Sequence, residues 1–299
     1  MMKNYFTASD GAKISYVDMG QGPTLFYVHA FGESIAAKMP FFRLLGKHFR
    51  VVSFDQRGYG GTPAEGRLSL GQSAQDAKEL MEHLGLADVC CVGYSMGAAV
   101  LFDYVRQFGT LNLARMAIID MSPCLINEAG WVHGLHQGHY THESYHKDLE
   151  MMERDFKGFN ISFLTETVLP NQAENERDLT PTEEKYDALK SMFEMLPGGA
   201  EALVELPANV QAVRRAYWIS MCENDFRPVL PKIDKPLAII YARPGSLYDE
   251  ATALHIASQV QVPRLYPIEN ATHMLGLTHA DCVASVLLSF YNCSEPGQI

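Results

Sequence analysis

Short apolar runs alternate with longer amphipathic stretches along most of this chain, and this alternation limits the available folds more than any other feature. Several of the runs are apolar on both faces. Such runs are typical of parallel strands that are covered by helices on each side. The predicted strands are Lys13–Met19, near a sheet edge, and Thr24–His29, Val51–Asp55, Val89–Gly93, Met116–Asp120, Leu237–Tyr241 and Arg264–Ile268.

The stretches between these strands carry apolar residues at helical spacing and end at residues that stop helices. The predicted helices are Ser73–Leu84, Met96–Phe108, Glu250–Gln259 and Asp281–Tyr291. Because strands and helices alternate, right-handed crossovers would build a doubly wound, mostly parallel α/β sheet.

The alternation stops between Pro123 and Lys235, where no convincing apolar strand run occurs. This stretch is rich in Met, His, Phe, Glu and Tyr, and prolines and glycines interrupt it. We therefore predict a helical cap, residues 123–235, inserted after the sixth strand and lying over the sheet's C-terminal edge. Residues 1–122 and 236–299 would form the two parts of the core.

Composition and charge exclude several classes of protein. The 299 residues are 47% hydrophobic and 20% charged, as in a soluble globular protein, and the net charge is −11. A chain with this negative charge would repel nucleic acid and anionic membranes, and we therefore expect neither as a partner. No apolar stretch approaches the ~18 residues of a membrane span or resembles a signal peptide, which predicts a cytoplasmic protein.

The cysteines indicate reduced thiols. None belongs to a C-x-x-C pair, and Cys90 and Cys91 lie inside an apolar run. This pattern predicts neither a disulfide framework nor a zinc site. The six cysteines are Cys90, Cys91, Cys124, Cys222, Cys282 and Cys293.

The segment Gly93–Gly97 (GYSMG) matches the pattern G-x-S-x-G between a predicted strand and a predicted helix. A serine in such a strand–turn–helix context is typical of a nucleophile elbow. Glycine neighbours lack a Cβ, so the strand and the helix can approach each other closely. Ser95 would also lie at a helix N-terminus, which favours developing negative charge. These features predict that Ser95 is a nucleophile.

Three further motifs accompany this one, and together they resemble the α/β-hydrolase family. They are His29–Gly32 (HAFG), Asp55–Thr62 (DQRGYGGT) and Asn270–Met274 (NATHM), which resemble its oxyanion loop, its D-x-R-G-x-G-x-S segment and its histidine loop. The similarity is greatest to the small cofactor-free esterase and haloperoxidase-like branch. The resemblance implies that the backbone N–H groups of Phe31 and Met96 form the oxyanion hole, and that the enzyme uses no cofactor or metal.

One residue of the predicted oxyanion loop departs from the family pattern. Ala30 stands where the family usually has glycine, and its methyl group would narrow the loop. His29, just before it, is interpreted as structural rather than catalytic.

His273 is the predicted general base. It follows the last predicted strand by a short loop, so it can reach a serine at the tip of a central strand. A neutral imidazole near pH 7 can take the serine proton and return it to a leaving group.

The acid that would orient His273 is less obvious. The family's usual position follows the strand Leu237–Tyr241, where this chain has Gly245 and Ser246. Asp120 at the end of the neighbouring strand is the preferred candidate, because some branches of the family place their acid there and adjacent strands are only ~4.8 Å apart. Asp249 or Glu250 at the start of a helix, or no acid at all, are the alternatives.

A second group of histidines lies early in the predicted cap, at spacings of three and four. Imidazoles so spaced can bind zinc, but glycines weaken the helix, and a solvated segment is the preferred interpretation. These residues are His133, His136, His139, His142 and His146. Aromatic and methionine residues of the cap would line an apolar pocket: Trp131, Met151, Met152, Phe156, Phe159, Phe163, Met192, Phe193 and Trp218.

These predictions combine into a serine hydrolase, most similar to carboxylesterases (EC 3.1.1), that cleaves an ester-type bond of a small or medium apolar substrate. Lactone, thioester or carbon–carbon cleavage would use the same groups, and peroxide could replace water. The alternative is a hydrolase-like binding protein with little turnover, which the missing acid at Gly245 would favour. The sequence does not indicate an oligomeric state.

Overall fold

The computed structural model describes residues 4–170, 179–194 and 199–292, and these build one eight-stranded sheet. Six of its strands run parallel to one another, while the second strand of the chain is antiparallel to both of its neighbours. The predicted doubly wound, mostly parallel sheet is thus confirmed. The strands are β1 Asn4–Thr7, β2 Lys13–Met19, β3 Thr24–Val28, β4 Arg50–Phe54, β5 Val89–Tyr94, β6 Leu113–Ile119, β7 Pro236–Pro244 and β8 Val262–Ala271, in the order β1-β2-β4-β3-β5-β6-β7-β8.

Helices cover both faces of the sheet because its central strands are apolar on both sides. On β3, Leu25 and Tyr27 join the core on one face of the sheet, whereas Phe26 and Val28 join the core on the other face. The helices are α1 Ile35–Leu45, α2 Leu70–His83, α3 Met96–Phe108, α4 His142–Arg154, α5 Phe156–Val168, α6 Glu183–Met192, α7 Glu201–Val204, α8 Ala208–Cys222, α9 Glu250–Gln259, α10 Leu275–Thr278 and α11 Ala280–Asn292.

Outside the insertion, β1, α1 and the one-turn helix α10 were not predicted. The strand β1 is short and lies at the sheet edge, so it carries little alternation to recognise. The helix α1 contains Pro40, which ordinarily interrupts a helical pattern, but Ser34 caps its start by accepting a hydrogen bond from the backbone N–H of Ala37.

Most predicted strand boundaries differ from the structure by a few residues, and the largest effect is at β8. This strand continues to Ala271, because its last residues pair with Arg243 and Pro244 of β7. The predicted loop Asn270–Met274 is therefore shorter than expected, and it begins after Ala271. His273 is held close to the end of a strand.

Helices α4 to α8 lie between β6 and β7, and no described residue of this insertion belongs to the sheet. The helical insertion after the sixth strand is confirmed. The predicted division into residues 1–122, 123–235 and 236–299 remains a prediction. None of the helices described here combines the length and the apolarity that crossing a bilayer requires.

Candidate active site

Ser95 occupies a strained turn between β5 and α3. Its φ of 50° and ψ of −120° lie in a region that residues other than glycine seldom adopt. The glycines on either side leave room for this turn: a Cβ at position 97 would lie 2.0 Å from the carbonyl oxygen of Val28, and one at position 93 would lie 2.5 Å from the backbone nitrogen of Ala98. The G-x-S-x-G pattern therefore has a steric cause, and Ser95 lies at the C-terminal end of a central strand.

His273 connects Ser95 to Asp120 through two hydrogen bonds. The distance from Ser95 Oγ to His273 Nε2 is 2.9 Å, and that from His273 Nδ1 to Asp120 Oδ2 is 2.7 Å. An ionised Asp120 can only accept, so Nδ1 carries the proton and Nε2 accepts from the serine hydroxyl. All three side chains are buried, which shields this arrangement from water.

The structure brings Asp120 to the histidine, and it places the alternative acids elsewhere. Asp249 caps α9, where its Oδ1 accepts a hydrogen bond of 3.1 Å from the backbone N–H of Thr252. Glu250 accepts a hydrogen bond of 2.7 Å from the Tyr241 hydroxyl. The backbone of Asp120 has a positive φ of 49°, and its Oδ1 accepts a hydrogen bond from the backbone N–H of Ala242.

Ser246, where the family's usual acid was expected, holds the histidine loop instead. Its Oγ accepts a hydrogen bond of 2.8 Å from the backbone N–H of His273 and donates one of 3.2 Å to the carbonyl oxygen of Thr167 on α5. The hydroxyl thus links the core to the insertion. No local sequence pattern indicates these contacts of Ser246, because its two partners lie 27 and 79 residues away in the chain.

Two tyrosines that sequence reasoning missed lie around His273. The Tyr94 hydroxyl donates to the carbonyl oxygen of His273, and the ring centroids of these two residues are 5.7 Å apart. The Tyr248 ring centroid lies 6.0 Å from that of His273. Burial raises the pKa of both phenols well above the usual value, so they remain neutral. They fix the imidazole by packing and hydrogen bonding.

His29 stabilises the loop that carries Phe31. Its Nε2 accepts a hydrogen bond of 3.1 Å from the backbone N–H of Gln56, so its Nδ1 carries the proton and donates to the carbonyl oxygen of Ala30. Burial lowers the pKa of His29 and favours this neutral form. The loop is also fixed from the other side, where the N–H of Ala30 donates to Glu33 Oε2 at 3.2 Å. The Ala30 methyl group is buried in the apolar core that also contains Ile35 and Phe41 of α1.

Phe31 and Met96, the predicted oxyanion donors, lie on adjoining segments. Met96 is the first residue of α3, where backbone N–H groups have no partner within the helix. The loop after β3 packs on this helical turn, since a Cβ on Gly97 would also lie 3.0 Å from the carbonyl oxygen of His29. The N-terminus of α3 is the positive end of its helix dipole, and it favours an anion bound between this helix and the loop that carries Phe31.

A cavity of about 330 Å³ lies inside the insertion, and two of the residues that line it contact Phe31. The Phe31 ring centroid lies 5.8 Å from those of Phe163 and Trp218, which line the cavity. Of the predicted pocket residues, Met151, Phe159, Phe163 and Trp218 line the cavity. The others do not: Trp131, Met152 and Phe156 are buried in packing, Phe193 belongs to a smaller core within the insertion, and Met192 is exposed.

The histidines of the insertion do not converge. His136 pairs with Glu166 at 2.8 Å, and His133 stacks on His255 with 4.9 Å between ring centroids. His142 and His146 are exposed on α4. Across the described residues, no three histidine, cysteine or acidic side chains are grouped so that they could hold a metal ion.

Comparison with known proteins agrees with this architecture. The family model for the alpha/beta hydrolase fold matches residues 23–138. A non-heme haloperoxidase from Rhodococcus erythropolis is 26% identical, with 96% of this chain and 98% of the relative covered. A bifunctional esterase/perhydrolase from Acinetobacter calcoaceticus is 31% identical over 41% of this chain and 46% of its own.

A solved structure extends the similarity to the whole fold. An esterase from Exiguobacterium antarcticum superposes with a TM-score of 0.78, at 20% identity, over 98% of this chain and 100% of its own. The sheet, the flanking helices and these comparisons together show that the chain has the α/β-hydrolase fold and is similar to esterases and haloperoxidases.

Proposed function

We propose that this protein is a serine hydrolase that cleaves ester-type bonds through an acyl-enzyme on Ser95. The observation that carries the proposal is the hydrogen-bonded series Ser95–His273–Asp120, with separations of 2.9 and 2.7 Å, at the C-terminal edge of the sheet. A serine hydroxyl is a weak nucleophile unless a base takes its proton, and this arrangement supplies that base.

The geometry supports a two-step acyl transfer. Ser95 Oγ attacks the substrate carbonyl carbon while His273 Nε2 takes the hydroxyl proton, and Asp120 keeps the imidazole in the required tautomer. The carbonyl oxygen becomes negative and accepts hydrogen bonds from the N–H groups of Phe31 and Met96, each worth about 3–4 kcal/mol in other enzymes. His273 then protonates the leaving alcohol. Water attacks the acyl-enzyme in the second step, with His273 again taking the proton.

The cavity indicates which part of the substrate the insertion would hold. Phe159, Phe163 and Trp218 give one wall an aromatic, apolar surface beside Phe31. A small or medium acyl or alkyl group fits a cavity of about 330 Å³. Carboxylesterase chemistry (EC 3.1.1) on such a substrate is the activity we propose first.

Perhydrolysis is the second candidate, and the relatives favour it. One is named a haloperoxidase and another an esterase/perhydrolase. In this reaction hydrogen peroxide replaces water in the second step. Its oxygen forms a bond to the acyl carbon, the bond to Ser95 Oγ breaks, and the peracid leaves while the serine regains its proton from His273.

A fluorophosphonate probe tests the proposal, because it reacts only with an activated serine. We expect labelling of the wild type and of Ser73→Ala, which removes a buried serine hydroxyl from α2, and no labelling of Ser95→Ala. An unreactive Ser95 in a folded protein would overturn the proposal and favour the hydrolase-like binding protein.

A further inference from the structure

Arg214 on α8 is a buried cation that pairs with no carboxylate in the described part of the chain. It is 6% exposed. Its Nη1 donates to Asn160 Oδ1 and to the carbonyl oxygen of Leu203, both at 3.4 Å, and its Nε has no hydrogen-bond partner among the described residues. Burying an unpaired charge is costly, so such a group usually has an anionic partner.

Arg57, unlike Arg214, is a buried arginine whose guanidinium is paired with carboxylates. Arg57 is also buried, but it binds Asp76 through Nε and Nη2 at 2.8 Å and Asp10 through Nη1 at 2.6 Å. The ionisable neighbour of Arg214 is Tyr59, whose pKa burial raises to about 12. A neutral phenol cannot balance the charge of Arg214.

The guanidinium lies against the loop that carries the proposed oxyanion donor. Its Cζ is 5.6 Å from the Phe31 ring centroid. A Cβ on Gly32 would lie 2.9 Å from Nη2, so only glycine lets the guanidinium approach the backbone this closely. The guanidinium thus contacts the loop at Gly32, the residue that follows Phe31. A substrate whose carbonyl oxygen accepts a hydrogen bond from the N–H of Phe31 would therefore lie close to Arg214.

We propose that Arg214 binds a carboxylate of the substrate, and that the preferred substrates are esters or lactones carrying a free carboxylate a few bonds from the reacting carbonyl. A planar guanidinium with free N–H groups suits a carboxylate, to which it can donate two parallel hydrogen bonds. The substrate would then combine an apolar part, against Phe163 and Trp218, with one anionic end. This inference rests on the proposed hydrolase function.

A matched pair of esters tests the proposal. Monoethyl succinate carries a carboxylate, whereas ethyl 4-oxopentanoate has nearly the same shape but a neutral ketone in its place. We expect wild-type kcat/KM to be higher for the anionic ester by about 10- to 100-fold, the range for a hydrogen bond to a charged group. Arg214→Met keeps most of the side-chain volume but removes the charge, and we expect it to abolish the preference while the neutral ester is still hydrolysed.

Arg215→Met is the matched control, because Arg215 lies on the same helix but is partly exposed and pairs with Glu153 at 2.9 Å. It should keep the wild-type preference. Arg214→Lys retains the charge but not the planar guanidinium, so it should keep part of the preference for the anionic ester. It replaces the methionine variant in this test if that variant does not fold. Equal kcat/KM for the two esters in the wild type, or an unchanged ratio in Arg214→Met, would overturn the proposal and leave Arg214 a structural residue.

A binding measurement separates this inference from the proposed function. Ser95→Ala protein is titrated with monoethyl succinate in a calorimeter, with and without Arg214→Met. Binding that depends on Arg214 supports the anion site even if the fluorophosphonate fails to label Ser95. Absence of Arg214-dependent binding overturns the site even if Ser95 proves reactive.

Discussion

Asp120 is the residue whose surroundings explain most about the site. Its φ is positive, its own N–H donates to the carbonyl oxygen of Ile240 at 2.8 Å, and both carboxylate oxygens accept hydrogen bonds. The backbone strain of such a residue costs about 1–3 kcal/mol and persists only where neighbouring contacts fix it. Here β7 and His273 supply those contacts, so the carboxylate has one defined direction.

Replacing this carboxylate by an amide tests its proposed role. Asp120→Asn can donate to His273 Nδ1, which favours the tautomer that cannot accept from Ser95. We expect kcat for ester hydrolysis to fall by about 10⁴, the loss seen for the same change in a serine protease. Steady-state kinetics on a nitrophenyl ester would measure it.

Asp249→Asn is the control for that experiment, because Asp249 caps α9 and the carboxylate hydrogen-bonded to His273 is that of Asp120. Its kcat should remain near the wild-type value. Near-full activity of Asp120→Asn together with an inactive Asp249→Asn would show that the acid had been assigned wrongly.

At the scale of elements, the insertion contacts the core through single side chains from several helices. Ser246 holds the end of α5, Phe163 and Trp218 contact Phe31, and α8 supplies Arg214. Inside the insertion, Tyr140 donates to Asp148 on α4 at 2.6 Å. Burial raises the pKa of Asp148 to about 6, so the ionised carboxylate is less stable there than in the unfolded chain.

The raised pKa predicts a pH dependence of the free energy of unfolding. Between pH about 4 and 6 the folded state binds more protons at Asp148 than the unfolded state, so stability falls as pH rises and levels off above 6. The loss is at most about 3 kcal/mol, and Asp148→Asn should remove it because the amide oxygen still accepts from Tyr140. Urea unfolding from pH 4 to 7 measures both proteins.

Glu150→Gln, at an exposed position of the same helix, provides the comparison. Its pH dependence over this range should follow the wild type. If Asp148→Asn also retains the full wild-type slope, the stability loss does not come from this carboxylate.

At the scale of the whole molecule, one buried ion network joins distant parts of the sheet. Arg57, in the segment after β4, contacts Asp76 on α2 and Asp10 in the turn between β1 and β2. The family-like segment Asp55–Thr62 therefore has a structural function: Asp55 accepts from the backbone N–H groups of Ile35 at 2.7 Å and Gly61 at 2.8 Å.

Removing one member of this network should destabilise the entire fold. Asp76→Ala leaves the buried guanidinium with only the half-exposed Asp10, and we expect the free energy of unfolding to fall by about 3–5 kcal/mol. Glu82→Ala breaks an exposed pair with Lys78 on the same helix and should cost less than about 1 kcal/mol. Denaturant titrations of both variants measure the difference, and equal losses would contradict the ranking.

The fold, Ser95 and His273 could be predicted from the sequence, because the residues that indicate each of them lie close together in the chain. Apolar runs such as Val89–Gly93 predicted the parallel strands, and the glycines around Ser95 predicted the turn from steric requirements alone. His273 was recognisable because it follows the last strand directly. Pro40 inside α1 and the short β1 were missed because their local sequence opposes or barely supports the structure they adopt.

The sequence by itself thus determined the sheet, the strained serine and the candidate base, since each depends on residues within about one element. Only the tertiary structure shows that Asp120, and not Asp249, is hydrogen-bonded to His273, a residue 153 positions away that the alignment of β6 and β7 brings close. It alone placed Ser246 under the histidine loop and left Arg214 buried beside Phe31. A hydrogen bond or an unpaired charge depends on which distant atoms come within a few ångströms, and no local pattern encodes that.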